Sequence, residues 1–340
     1  MANNPNLRSP KSDCIEDSIV VEGISKHFGK IQALDNISLN VGEGIVFALL
    51  GPNGSGKTTL IRILTTLLIP DRGTARVGGF DIRKNASSIR PIIGLAGQYP
   101  AVDEDLTGKE NLEMIGQLYH LGNIKSRTRA GELLETFELA DAGSRRVKTY
   151  SGGMRRRLDL AATLVAEPKI LFLDEPTTGL DPRSRFGLWD VIGKQTKNCN
   201  TVFLTTQYLE EADRLADKIA IMENGKIIRV GTPTELKGCC GGETRVKLKL
   251  VDPNQTKQAV ELLRELGKDQ INSITETGDI SLPSGSTSIL SEVVRRLDAG
   301  GVQLAELGLT QPTLDDVFLA ITGHTAENPA DITPNTKKTN

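Results

Sequence analysis

Gly51-Pro52-Asn53-Gly54-Ser55-Gly56-Lys57-Thr58 is the stretch on which the fold turns. Before it runs Ile45-Val46-Phe47-Ala48-Leu49-Leu50, an unbroken apolar run of the kind a strand buried on both faces requires. After Thr59, the residues Leu60, Ile61, Ile63 and Leu64 recur at helical spacing. Strand, glycine-rich turn and helix in that order make a phosphate cradle. The glycines let successive amides point into one concavity, the helix start adds unpaired N–H groups and a positive dipole end, and Lys57 brings a full charge to the β/γ-phosphates. Thr58 offers its hydroxyl to Mg²⁺. A glycine-rich turn can also bind nothing, but the strand before and helix after favour a bound nucleoside triphosphate, with Gly51 through Thr59 as its ligands.

A second apolar run, Ile170-Leu171-Phe172-Leu173, leads into Asp174-Glu175-Pro176. A carboxylate pair at a strand end beside a phosphate loop divides the work: Asp174 to hold Mg²⁺, often through water, and Glu175 to accept a proton from attacking water. Loss of a general base costs about 10²–10⁴ in rate, so turnover is expected to hang on Glu175. The bland alternative is a pair of solvated turn acids. The long separation between Lys57 and Asp174 leaves room for an inserted helical subdomain, and Leu112, Ile115, Leu118, Leu133, Leu134 and Phe137 supply its helical spacing.

The remaining elements follow in order. Ile19–Ile24 and Ala33–Val41 read as antiparallel strands laid ahead of the phosphate-binding strand, Ile37, Leu39 and Val41 alternating with polar residues. Gly73–Gly79 is a short strand and turn, and Ile92–Gln98 a further strand. Ser151-Gly152-Gly153 opens a helix, where it is either an ordinary helix cap or a second anion cradle. Helices at Phe186–Lys194 and Glu210–Ala216 flank the strand Thr201–Gln207, and Asn224-Gly225 turns the strand Ile219–Met222 back into Lys226–Ile228. Alternation of strand and helix predicts an α/β cassette with a parallel sheet over 18–237, its helical subdomain at about 105–165. Residues 238–243 read as a linker. Beyond it a βαββαβ order over 244–322 predicts a small α+β, ferredoxin-like domain, closed by the short helix Thr313–Leu319. Residues 1–17 and 323–340 are too polar to bury much and read as disordered.

Composition narrows the function. At 340 residues the chain suggests two domains. Its 41 basic and 43 acidic residues sum to −2, which gives no electrostatic case for nucleic acid. The four cysteines (Cys14, Cys199, Cys239, Cys240) lack metal spacing and indicate a reducing compartment, with the adjacent pair as free thiols. No apolar run approaches the roughly 20 residues that span a bilayer, so a membrane role has to come through a partner. Arg155-Arg156-Arg157 reads as a solvated helix face near bound phosphate rather than a nucleic-acid patch.

Taken together, the phosphate loop, Gln98, Ser151-Gly152-Gly153, Leu171–Pro176 and Gly179-Leu180-Asp181 resemble an ATP-binding cassette (ABC) ATPase over roughly residues 19–235. The resemblance implies that Phe28 stacks on adenine, that Gln98 lies near Mg²⁺, that Ser151, Gly152 and Gly153 grip the γ-phosphate held by a partner subunit, and that Asp181 links the two sites. It implies a head-to-tail homodimer with two ATP molecules between the subunits. Where the family usually places a histidine against the γ-phosphate, this chain has Gln207, which can donate a hydrogen bond but cannot shuttle a proton. Met154 and Tyr150 also depart from the usual Gln and Leu. These departures, with Lys148–Asp159, Asp181–Arg185 and Leu314–Leu319, resemble the daunorubicin/doxorubicin-resistance branch of bacterial exporters.

That branch implies an ATPase subunit at the cytoplasmic face of the cell membrane, peripheral to a separate transmembrane permease that handles a hydrophobic drug or lipid. A non-transport ABC ATPase acting on DNA or ribosomes is the alternative. One phosphate loop, no sustained heptads and no basic excess weigh against it.

Overall fold

The computed structural model describes residues 17–195, 200–239, 245–267, 271–274, 277–284, 289–310, 313–315 and 317–318. The described residues form two compact units that divide between Pro233 and Thr234.

In the first unit, β1 (Asp17–Phe28) and β2 (Ile31–Gly42) pair antiparallel and lead into β3 (Val46–Leu50). Asp17, expected in a disordered segment, is the first residue of β1, where it pairs with Gly42 and accepts a hydrogen bond from Asn40 at 2.9 Å. Then come α1 (Lys57–Leu64), β4 (Arg72–Val77), β5 (Phe80–Asp81), α2 (Ala86–Ile89) and β6 (Ile93–Ala96). The helical insertion is two separate helices, α3 (Gly108–Leu118) and α4 (Asn123–Thr136), followed by α5 (Gly152–Thr163). A capping box starts α3: Thr107 accepts from the amide of Glu110, and the Glu110 side chain from that of Thr107. The unit ends with β7 (Ile170–Asp174), α6 (Pro182–Gln195), β8 (Thr201–Thr206), α7 (Leu209–Leu215), β9 (Lys218–Glu223) and β10 (Lys226–Gly231). Helix α6 starts at Pro182, ahead of the expected Phe186, because proline suits a first helical turn and Asp181 caps it by accepting from the Ser184 amide at 3.0 Å.

Two sheets carry these elements. Four antiparallel strands run in the order β2-β1-β4-β5, and six run β10-β9-β3-β8-β7-β6. In the larger sheet β3 lies parallel to β8 and β9, and β7 parallel to β8 and β6; only β10, returned by the Asn224-Gly225 turn, is antiparallel. All five residues of β3 and all five of β7 are buried, as helices or sheet on both faces demand. Alternate residues serve opposite cores. Phe47, Leu49, Phe172 and Phe203 face α1 and the smaller sheet, with Phe47 and Phe203 stacked at 5.5 Å, whereas Val46, Leu171, Leu173, Val202 and Leu204 face α5, α6 and the insertion. The register sets Leu50 beside Thr206, and Asp174 beside Thr205, so the carboxyl ends of β3, β7 and β8 finish level. Ligands of open α/β sheets bind at such ends.

The second unit follows α8 (Pro233–Cys239) with β11 (Arg245–Leu250), α9 (Thr256–Gly267), β12 (Asn272–Ile274), β13 (Asp279–Pro283), α10 (Ile289–Ala299) and β14 (Leu304–Thr310). Its antiparallel strands run β12-β13-β11-β14, which is the ferredoxin-like arrangement. Val246, Leu248, Leu250, Ile280 and Leu282 bury one face against Ala259 and Leu263 of α9 and Val293 and Leu297 of α10. Of the closing helix, Leu314, Val317 and Phe318 are buried. Asp316 and Leu319, residues 240–243 of the expected linker, Cys14, Cys199 and the C-terminal tail lie outside the described residues.

Candidate nucleotide site

The turn after β3 shows why glycine stands where it does. A Cβ on Gly51 would sit 2.2 Å from the Met222 carbonyl oxygen; Gly56, at φ 107, would place one 2.5 Å from the Ala33 oxygen. The loop is thus pressed against β9 and β2, and the Gly225 amide fastens it further by donating to the Ser55 carbonyl at 3.0 Å. A cleft of about 400 Å³ opens above it, lined by Asn53, Gly54, Gly56, Lys57, Thr58, Thr59, Gln98 and Glu175, among others.

Within this cleft the predicted side chains converge. Lys57 is 4% exposed and its ammonium donates to the carbonyls of Gly51 at 2.8 Å and Pro52 at 3.0 Å, while lying 3.2 Å from Glu175 Oε1. These three contacts use all the donors an ammonium has. Glu175 Oε2 accepts from Gln98 Nε2 and Thr178 Oγ1, each at 3.3 Å. Asp174 Oδ1 accepts from Thr58 Oγ1 at 3.2 Å and from Thr205 Oγ1 at 2.7 Å. Both carboxylates are nearly wholly buried. Glu175 also occupies the left-handed backbone region at φ 48, a conformation that costs a non-glycine residue about 1–3 kcal/mol and persists only where its surroundings enforce it. Its amide is held by the carbonyl and the hydroxyl of Thr205, each at 3.1 Å.

Other predicted residues lie apart from that group. Phe28 is 48% exposed at the end of β1, with Lys26 Nζ 5.7 Å from its ring centre. Ser151 caps α5, accepting from the Met154 amide at 3.3 Å; it and Gly152 are exposed, and Gly153 packs against Ser184. Asp181 is exposed and spends its carboxylate on Ser184, whose hydroxyl and amide hold its pKa below the usual carboxylate value. Gln207 is buried at the end of β8, and its Oε1 has no hydrogen-bond partner among the described residues.

Sequence reasoning missed three features. Arg156, expected on a solvated face, is 5% exposed: α5 turns it inward with Gly153 and Asp159, while Arg155 and Arg157 point out to Glu104 and Glu138. Burial lowers its pKa and raises that of Asp159, each charge opposing the other's shift. The signal was present in the i,i+3 spacing of Arg156 and Asp159. Secondly, Asn224 and Gly225, read as a turn alone, line the cleft together with Ile31, Gln32 and Ala33. Thirdly, Glu211 is fully buried on α7, accepting from Trp189 Nε1 at 2.8 Å and Thr177 Oγ1 at 2.9 Å.

A nucleotide and a divalent ion fit this donor set on structural grounds. The cradle closes to any added Cβ at two glycines, Ser55 Oγ is buried without a partner among the described residues, and a hydroxyl and a carboxylate meet at Thr58 and Asp174.

Known proteins resemble this chain over most of its length. Residues 34–178 match the family described as ABC transporter. The daunorubicin resistance ATP-binding protein DrrA3 of Streptomyces coeruleorubidus is 49% identical over 91% of this chain and 96% of its own length. The doxorubicin resistance ATP-binding protein DrrA of Mycobacterium tuberculosis is 45% identical over 92% of this chain and 95% of its own. A linearmycin resistance ATP-binding protein of Bacillus subtilis is 33% identical over 89% and 98%. Among solved structures, a dimeric ATP-binding cassette in a post-hydrolysis state bound to ADP and Pi has a TM-score of 0.58 at 26% identity, covering 63% of this chain and 98% of that one.

Proposed function

The chain belongs to the ABC transporter family as an ATP-hydrolysing cassette, and on that premise we propose that it drives efflux of a hydrophobic drug or lipid through a separate membrane permease. The proposal includes a head-to-tail homodimer docked at the cytoplasmic face of the membrane. No described helix is long and apolar enough to cross a bilayer, which is consistent with a peripheral role. The names of relatives from two Streptomyces species, referring to daunorubicin and doxorubicin, support a drug cargo.

The observation that carries the reading is the joining of Lys57, Thr58, Gln98 and Glu175 around one cleft, with Asp174 bonded to Thr58 behind it. Thr58 and Asp174 would hold Mg²⁺, with Gln98 beside them. When bound, the ion supplies charge that steadies the β- and γ-phosphate oxygens. Lys57 exchanges its loop carbonyls and Glu175 for phosphate oxygens. That exchange frees Glu175 Oε1 to accept the proton of an attacking water, while Gln98 and Thr178 keep the carboxylate oriented through Oε2. Gln207 would donate its amide N–H to the γ-phosphate. Phe28 would stack on the base. Ser151, whose oxygen accepts from Met154, retains its hydroxyl proton for the partner's γ-phosphate, joined by the Gly152 and Gly153 amides, with Asp181 at the seam.

Glu175→Gln tests the reading. With ATP and Mg²⁺ it should form a dimer stable enough to see by light scattering while turnover falls about 10²-fold or more. A monomer under those conditions, or hydrolysis at the native rate, would overturn it.

A further inference from the structure

Arg156 uses every donor it has inside the protein. Nε donates to the Pro176 carbonyl at 2.7 Å; Nη1 donates to the Gly97 carbonyl at 2.6 Å and to Asp159 Oδ2 at 3.2 Å; Nη2 donates to the carbonyls of Asp174 at 3.2 Å and Glu175 at 3.3 Å. Five N–H groups meet five acceptors, and only one of these is charged. Asp159 extends the tie with its other oxygen, which accepts from the Ala101 amide at 2.8 Å. The fork therefore grips three consecutive carbonyls of the turn that holds Glu175 in its left-handed conformation, and the pair brackets the loop bearing Gln98 at both ends. Arg156 also sits on the same helix as the Ser151 cap, five residues on, or about 7.5 Å along the axis. Neither neighbouring arginine reaches this turn: Arg155 bonds Glu104 and the Lys148 carbonyl, and Arg157 bonds Glu138 and the Phe137 carbonyl.

We propose that Arg156 is a positioning residue that couples the two nucleotide sites, moving the chain's own Glu175 turn and Gln98 loop with the helix whose start grips the partner's nucleotide. The proposal rests on the dimer reading above. One end of α5 faces outward with exposed Ser151 and Gly152, while its buried face holds the hydrolytic turn by backbone, so a displacement of the cradle displaces the base. A planar fork is needed for this. A lysine retains the charge opposite Asp159 but cannot reach three carbonyls in one plane.

The test compares Arg156→Lys with the native chain. ATP turnover should fall about 10²-fold, the loss expected when a catalytic group is misplaced by about 1 Å, with KM within a factor of about three and cooperativity in ATP reduced. A purely structural role would change the melting temperature without that split between kcat and KM. Native kcat and cooperativity in Arg156→Lys would overturn the proposal, as would a raised KM at native kcat. Should Arg156→Lys fail to fold, Asp159→Asn decides by the same readouts, with a smaller fall expected and an unchanged kcat overturning the coupling. Dimerisation of Glu175→Gln with ATP separates the two levels: if that dimer forms and the arginine variants turn over normally, the coupling alone is wrong; if it does not form, both are.

Discussion

The two proposed anion cradles of this chain are finished to different degrees. Around Gly51–Thr58, Lys57 is buried with its donors spent, Asp174 and Glu175 have hydrogen-bonded partners, and the glycines are wedged against neighbouring strands. Around Ser151–Gly153, the serine bonds only its own helix among the described residues, and Ser151 and Gly152 are exposed. Asp181 is likewise occupied with its own helix cap. A site that must function within one chain is assembled by the fold. On the proposed dimer reading, a site that waits for a second chain is left capped but open.

The largest effect that could break this comparison is at Lys57. Lys57→Ala removes the charge proposed to meet the phosphates and leaves Glu175 buried without its cation. Breaking a buried pair from one side costs about 3–5 kcal/mol. Nucleotide affinity should fall by about 10²-fold in a titration, and the nucleotide-free protein should melt earlier. Native affinity would show that the first cradle is not the binding site. Next in size is Ser151→Ala. Loss of the cap costs about 1 kcal/mol, yet ATP affinity measured on the monomer should be unchanged while turnover falls roughly tenfold or more. Weakened binding to the isolated chain would place this cradle in the same site as the first and erase the contrast.

The finished cradle was also the legible one. A glycine loop between an apolar strand and a helix is local in sequence, and so is Asp174-Glu175 at the end of a strand; their convergence needs only that β3 and β7 flank β8. The ferredoxin-like order of the second unit was equally plain, because alternation along its strands and amphipathic helices mark each element. What escaped were residues whose role depends on which way a helix faces. Three consecutive arginines look alike in sequence, and only the packing of α5 against the Glu175 turn singles out Arg156. Asn224 and Gly225 escaped for a related reason: the turn signal was correct, but nothing local says that the turn between β9 and β10 closes beside the phosphate loop.

The smallest effect concerns the ground between the cradles. Glu211 holds Thr177, just past the carboxylates of the first, and Trp189 of α6, the helix that Asp181 caps. Burial pushes its pKa up, against the hydrogen bonds and Arg185 that pull it down. The stability it contributes is therefore complete below the ordinary value of 4.5 and is lost as pH rises through the raised folded value. Glu211→Gln keeps an oxygen for Trp189 and Thr177 but cannot ionise, so it escapes that loss. Melting followed by the fluorescence of Trp189, the chain's one tryptophan, should show the variant gaining on the native protein as pH rises from below 4.5, by about 2–4 °C for each kcal/mol. A difference that stays flat across that range would mean that Glu211 keeps its ordinary acidity in the fold. The seam between the cradles would then be held by a charge rather than by a neutral acid.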